Sequence, residues 1–392
     1  MEQKPVKVLQ VIADFKKGGV QADVMYPARI LGKDQVNIDV MLLSNTIGFY
    51  EDEFSNYGDI YRIPLQRKKT KIGRFLSIYS NFFYIKKEMD KFFVEHPNYD
   101  AVEARHLLLN APCIWAAKQA GVPVRIAHCH VNKPERKEFA DRLYVRMYLW
   151  VCAQILNRCC TLRFGVTKNA LTYMFGNTDG VVVKNPTVDL EKFNPDKYPQ
   201  FASDDINLIV VGSYSARKNQ KFAAEVFFEL HKLYPKSRLT FIGYRRSATE
   251  TYLDELQSYI EIKGLNEFVD FLPQDSDVPK ELSRSTYMLI PSLQEGLPNV
   301  ALEAQAMGVP CFLSTDVSED CNCGICRFIP LSDGPEKWAK QILQYTNENG
   351  TAKHYIDMSD WDNKKVCAEY LKIWKGNLSE EELKKDNGKT NG

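Results

Sequence analysis

The chain has 392 residues, which is room for two or three domains. Its 51 lysines and arginines against 50 acids leave a formal net charge of +1, so overall charge gives no argument for a nucleic-acid partner. A hydrophobic share of 44% with 26% charged residues is that of a soluble globular protein, and no run approaches the roughly 18 apolar residues of a membrane span.

Residues 6–13 form an apolar run suited to a first sheet strand rather than a secretory leader, and the expected location is cytoplasmic. A glycine-bearing loop and a helix over about 20–31 follow, then a strand at 37–43. Residues 67–87 are basic and aromatic and suit either an anionic membrane surface or a packed helix with solvated lysines. Residues 99–103 lead into a helix around 111–119, which Gly121-Val122-Pro123 stops before a strand at 124–128. Residues 142–156, apolar and aromatic, read as a core helix. The pattern then restarts, with strands at 207–211, 238–242 and 269–272 and helices at 220–234, 253–263 and about 280–284. This alternation predicts two α/β units, each a parallel sheet covered by helices. The boundary is placed near Asn185-Pro186, giving domains over 1–185 and 186–360. Residues 361–376 carry apolar and aromatic side chains at helical spacing, and 377–392 read as a disordered polar tail.

The strongest motif follows a buried strand at 286–290. Glu295 lies in the next loop, and Glu303 lies inside a helix over 299–307 that Pro298 and Asn299 open. Free N–H groups around Gly296 and Leu297 make the start of that helix a phosphate cradle. A carboxylate on either side of such a cradle suits a ligand with hydroxyls at both ends and phosphate in the middle, as in a nucleotide-sugar. Gly212 follows the first strand of the second half, and Arg217-Lys218 comes soon after, where a lysine reaches donor phosphates as a point charge. In the first half, Gly18-Gly19 lets backbone approach a ligand, although the dinucleotide fingerprint Gly-x-Gly-x-x-Gly is absent. His128 and His130 end one strand and Arg105-His106 another, at the carboxyl edge where open α/β sheets bind ligands. Cys321, Cys323 and Cys326 cluster without the paired spacing or fourth ligand of a zinc site, so no metal is expected.

Ser292-x-x-Glu295-Gly-Leu-Pro298, followed by Glu303-Ala-x-Ala-x-Gly308-x-Pro310, resembles the paired-glutamate signature of the family 4 retaining glycosyltransferases (glycosyl transferases group 1). His128-Cys-His130 is similar to a stretch in the capsule and exopolysaccharide members. The resemblance implies the GT-B fold, two Rossmann-like α/β domains facing across a cleft, with the last helix crossing back to the first. It implies transfer of a sugar from a nucleotide donor, UDP-linked in preference to GDP-linked, to a saccharide or lipid-linked saccharide. Peripheral membrane contact at the inner face would follow from a lipid-linked acceptor, and no nucleic acid is involved. Glu303 would bind ribose. Gly18, Gly19, Gly212, Arg217, Lys218, Gly296, Leu297, Pro298 and Asn299 would surround the donor, with Glu295, His130 and Lys218 as catalytic residues. Arg105, His106 and His128 would meet the acceptor. No cofactor or divalent cation is implied. Ser213 stands where the family usually carries arginine. Two other functions suit the same scaffold: a sugar-nucleotide epimerase or phosphorylase, and a degenerate non-catalytic binding protein.

Overall fold

The structure, a computed structural model, describes residues 4–16, 18–66, 71–131, 143–199, 204–245 and 251–389. The basic run at 67–70 falls outside them. The chain divides into one unit of residues 1–187 with 361–392 and a second of residues 188–360.

In the first unit, strands β1 (Val6–Ile12), β2 (Val36–Leu42), β3 (Ile60–Arg62), β4 (Ala101–Ala104), β5 (Val124–Cys129), β6 (Leu162–Gly165) and β7 (Val181–Val182) form one parallel sheet in the order β3-β2-β1-β4-β5-β6-β7. Helices α1 (Gly19–Leu31), α2 (Glu51–Phe54), α3 (Lys71–Glu95), α4 (Asn110–Gln119), α5 (Leu143–Cys159) and α6 (Lys168–Phe175) make the crossovers. β1 pairs with β2 and β4 on its two sides, and six of its seven residues are buried, as parallel strands covered on both faces require.

The second unit repeats the scheme. β8 (Ile206–Val211), β9 (Ser237–Gly243), β10 (Val269–Pro273), β11 (Tyr287–Ile290), β12 (Cys311–Ser314) and β13 (Cys326–Ile329) lie in the order β10-β9-β8-β11-β12-β13. Helices α7 (Gln220–Leu233), α8 (Tyr252–Ile262), α9 (Val278–Arg284), α10 (Asn299–Ala306) and α11 (Gly334–Asn349) connect them. Tyr287, Phe227, Phe241, Phe312 and Trp338 fill the core. In each sheet the order reverses beside the first strand, between β1 and β4 and between β8 and β11. The carboxyl ends of strands at such a switch point leave a crevice for ligands.

The chain then returns to the first unit through α12 (Asn363–Trp374), whose start is capped by Asp362 accepting from the Lys364 amide at 3.3 Å. Val366, Cys367, Tyr370, Leu371, Ile373 and Trp374 bury one face of it in the first core. The tail expected to be disordered from 377 is instead helical over Glu380–Lys389 (α13). Its start is a capping box: Glu382 accepts from the Ser379 amide at 2.8 Å while Ser379 Oγ accepts from the Glu382 amide at 3.3 Å. Glu380 then accepts from Arg163 Nη2 at 2.8 Å, and Leu378 and Leu383 pack on the core. A polar composition hid these anchors.

Trp374 has no exposed surface and donates its indole N–H to Glu103 at 3.2 Å. Trp374→Ala is expected to destabilise the protein by roughly 3–5 kcal/mol. A urea unfolding curve with an unchanged midpoint would contradict the buried placement of α12.

Candidate active site

At the switch point of the second sheet, the loops after β8 and β11 are tied together. Leu293 N–H donates to the Arg217 carbonyl at 2.9 Å, and Asn219 Nδ2 donates to the Pro291 carbonyl at 3.1 Å. Asn219 takes a left-handed φ of 55° to turn the chain into α7. Lys218 Nζ forms an ion pair with Glu295 Oε1, which also accepts from Ser292 Oγ at 3.0 Å. Burial alone would raise the Glu295 carboxyl, but Lys218, Arg217 and Ser292 outweigh it and hold the group below its ordinary value. Arg217 is half-buried, with Nε lacking a partner among the described residues. Gly212 has a φ of 148°, and a Cβ there would lie 3.4 Å from Lys218 Cε. Ser213 is buried, and its carbonyl accepts from Gln220 Nε2 at 2.9 Å. The expected arginine position thus serves the turn, leaving Arg217 and Lys218 as the cations of this loop.

Gly296 and Leu297 run into α10, whose cap is Pro298 and whose first turn, opened by Asn299, holds no acid and no side-chain cap. The helix start is therefore open to an anion. One turn on, Glu303 is half-buried. Burial pushes its carboxyl up to about 7, with Lys192 opposing. Gly212, Arg217, Lys218 and Glu295 are thus gathered at the strand ends of the switch point, beside the start of α10. Cys321, Cys323 and Cys326 lie elsewhere in the unit, where Gln305 Nε2 donates to the Cys321 carbonyl at 2.8 Å and Gln305 Oε1 accepts from the Cys323 amide at 2.8 Å. Among the described residues no group of three or more His, Cys, Asp or Glu is arranged to hold a metal ion.

The first unit carries a second polar centre at its own strand ends. Arg105, just past β4, is fully buried and contacts Glu103 at 2.9 Å and Gln10 at 3.0 Å. Gln10 Nε2 donates to Glu103 at 3.1 Å. His128 Nδ1 is 2.9 Å from Glu103, and the His130 ring stacks on the His128 ring at 4.1 Å between centroids. Arg105 also reaches His130 Nε2 at 3.3 Å. Asp23 on α1 completes the group, with Oδ2 at 3.7 Å from Arg105 and 3.6 Å from His130 Nδ1. Glu103 drops to about 2 because Arg105, His128 and Gln10 outweigh its burial. Burial and Arg105 lower His128 to about 4, against the pull of Glu103. Burial, His128 and Arg105 hold His130 well below its ordinary value.

Arg105 and His128 have no exposed side-chain surface, and with Glu103 they build the centre beside His130. His106 stands apart, its amide donating to Asn110 Oδ1 at 2.6 Å. Gly18 and Gly19 are exposed, and Gly18 is the uncapped N-cap of α1.

Residues 205–348 match the family model of the glycosyl transferases group 1. The second unit therefore carries a glycosyl transferases group 1 domain. The chain is 25% identical to EpsF of Bacillus subtilis (strain 168), over 91% of this chain and 92% of that protein. It is also 25% identical to the UDP-Gal:alpha-D-GlcNAc-diphosphoundecaprenol alpha-1,3-galactosyltransferase of Escherichia coli, over 77% and 78% of the two chains. The solved structure of Anabaena Alr3699/HepE in complex with UDP matches 98% of this chain and 99% of that one, with a TM-score of 0.66 at 14% identity. That likeness, with the two parallel sheets, gives the chain the GT-B fold. The family match covers the unit that holds Lys218, Glu295 and Glu303.

Several residues were missed in the sequence: Asp23, Glu103 and Gln10 in the first unit and Lys192 in the second, while Ser292 was read as part of the motif without its bond to Glu295. Glu103 and Gln10 had a signal, being polar residues inside otherwise apolar strands. Two outcomes follow from the geometry. Gly212→Ala forces a side chain into a positive-φ position against Lys218, so a loss of about 1 kcal/mol or more is expected, together with weaker nucleotide binding. Unchanged melting and binding would contradict the contact. For Asp23, burial raises the carboxyl from 3.8 to about 7, against Arg105 and with Glu103 adding. The folded state then holds this proton more tightly than the unfolded chain, so folding is favoured at low pH and the advantage is lost as pH rises through about 7. Asp23→Asn removes that loss, which is on the order of a few kcal/mol. The melting-temperature gain of Asp23→Asn over the parent is expected to grow between pH 5 and pH 8; a constant difference would contradict it.

Proposed function

We propose that the protein is a retaining transferase that moves a sugar from a UDP-linked donor to a saccharide or lipid-linked saccharide in bacterial surface polysaccharide synthesis. The observation that carries this reading is the convergence of Lys218, Glu295 and the open start of α10 at one switch point, inside the segment that matches the group 1 family. The galactosyltransferase relative, named for a UDP-sugar and a diphosphoundecaprenol acceptor, and the UDP held by the HepE structure support the donor and acceptor classes.

Glu303 accepts hydrogen bonds from the ribose hydroxyls. The diphosphate lies over the α10 amides at Gly296 and Leu297, with Lys218 and Arg217 as counter-charges. Lys218 turns from Glu295 to phosphate as donor enters, freeing Glu295 to accept from sugar hydroxyls. The bond from the anomeric carbon to phosphate breaks while the acceptor oxygen bonds on the same face. The acceptor's proton passes to the departing phosphate oxygen. Charge grows on the diphosphate in that step, so preorganised cations and amides there lower the barrier most. The same groups neutralise the leaving group without a divalent cation. In the first unit, Gly18 and Gly19 open α1 toward substrate and His130 meets a substrate hydroxyl. The site of action is the cytoplasm, at the inner membrane face when the acceptor is lipid-linked. Among the described residues no helix is long and apolar enough to cross a membrane.

UDP is expected to raise the melting temperature equally in EDTA and in magnesium, by about 2.7 kcal/mol of stability at a hundredfold excess over Kd. Because Glu303 accepts ribose hydroxyls best as a carboxylate, the shift should be larger at pH 8 than at pH 6, and Glu303→Gln should remove that pH dependence. A strict need for magnesium, or no shift with UDP or GDP, would sink the assignment. Conversion of a UDP-sugar to its epimer without acceptor would favour the epimerase reading instead.

A further inference from the structure

The buried centre of the first unit has an uneven charge. Glu103 and Asp23 are both enclosed, and Arg105 is the guanidinium between them. Arg105 sits close to Glu103 at 2.9 Å but stands 3.7 Å from Asp23. Glu103 is further satisfied by His128, Gln10 and Trp374. Asp23 is only 1% exposed, yet neither of its carboxyl oxygens has a hydrogen-bond partner among the described residues. A buried carboxylate without a donor is unfavourable, and the structure must compensate for it nearby.

Hydrogen-bond chemistry fixes which ring nitrogen of His130 faces it. An arginine only donates. The Arg105 Nη1 contact at 3.3 Å therefore assigns the lone pair of His130 to Nε2. In the neutral ring the proton then sits on Nδ1, which faces Asp23 Oδ2 at 3.6 Å. The other titratable groups around the pair are Glu103 on β4, His128 on β5, and Tyr370 and Cys367 on α12. Of these, Glu103 is already satisfied and Cys367 is an enclosed thiol. His128 is committed to Glu103 through its Nδ1. Tyr370 lies against the Arg105 guanidinium, 5.9 Å from it across the ring.

We propose that Asp23 is a positioning residue that faces the Nδ1–H side of His130 as its nearest carboxylate, and so favours the ring orientation that presents Nε2 to a substrate hydroxyl as a hydrogen-bond acceptor. The proposal rests on the assignment of His130 to substrate contact. Arg105 keeps Glu103 and Gln10 when it yields its long contact to Nε2, so a hydroxyl can take its place at little loss. An ionised Asp23 also makes Nε2 a better acceptor, as an orienting carboxylate does for an imidazole in other sites. The unfavourable burial of Asp23 is then a feature of the site: the residue weakens the fold and serves the ring beside it.

The test has one arm that needs no substrate and one that does. In protein with ¹⁵N-labelled histidine at pH 8, His130 is expected as the Nδ1–H tautomer, its Nε2 shift that of an unprotonated nitrogen. The Nε2–H tautomer overturns the proposal, whether or not any sugar transfer is found. If the wild type transfers no sugar, the functional reading fails alone and the ring-nitrogen shifts still decide this inference. With transfer established, Asp23→Asn is expected to lower kcat about tenfold or more with the donor KM within twofold. Asp23→Asn should add no further loss to His130→Ala, since it acts through that ring. Full kcat in Asp23→Asn, or losses that multiply in the double variant, overturn it. A merely structural aspartate would give multiplying losses and a lower melting temperature, whereas this account expects a higher one at pH 8.

Discussion

Each buried carboxylate at a strand end needs a cation or a donor, and the two units meet that need differently. In the second unit the match is close: Glu295 is paired with Lys218 and accepts from Ser292. The pair is a stored arrangement of charge at the mouth of an open helix N-terminus. Under the proposed function, a diphosphate would offer Lys218 more negative charge than one carboxylate does, so the pair would hold the lysine in place until the donor enters. In the first unit Arg105 is drawn to Glu103 at 2.9 Å while Asp23 stands 3.7 Å away. That imbalance is what turns a structural cluster into a centre that orients a ring.

The parallel topology makes both arrangements possible. Strand order reverses beside β1 and beside β8, so adjacent strands send their connections to opposite faces and leave their carboxyl ends uncovered. Residues immediately after β8 and β11 therefore meet without any long-range device beyond the sheet itself. α12 adds a covalent tie. Its Trp374 and Tyr370 seal the centre around Glu103 and Arg105, so the chain must finish the second unit before the first unit's site is complete.

The sequence was most legible where one residue pattern served one purpose. Long apolar strands such as β1 and β8, the glycines and prolines at turns, and the strand–loop–helix carrying Glu295 and Glu303 could be read directly. The short strands β3, β6, β7, β12 and β13 escaped, since two to four residues give no period to count. The helix at 380–389 escaped because composition outweighed a Ser379-x-x-Glu382 cap that was present. Arg105 and His128 were found at strand ends, but the sequence did not say that Glu103 and Gln10 tie them into one buried centre. Asp23 was invisible, because its meaning depends on residues some eighty and a hundred positions away that only the fold brings near.

The central claim is that the Lys218–Glu295 crevice is built for a nucleoside diphosphate. Calorimetric titration of UDP and UMP into the wild type and Lys218→Ala tests it most directly. The account predicts that the wild type binds UDP more tightly than UMP, and that Lys218→Ala loses about tenfold or more for UDP with little change for UMP. Equal affinity for the two nucleotides, or UDP binding indifferent to Lys218→Ala, would contradict it.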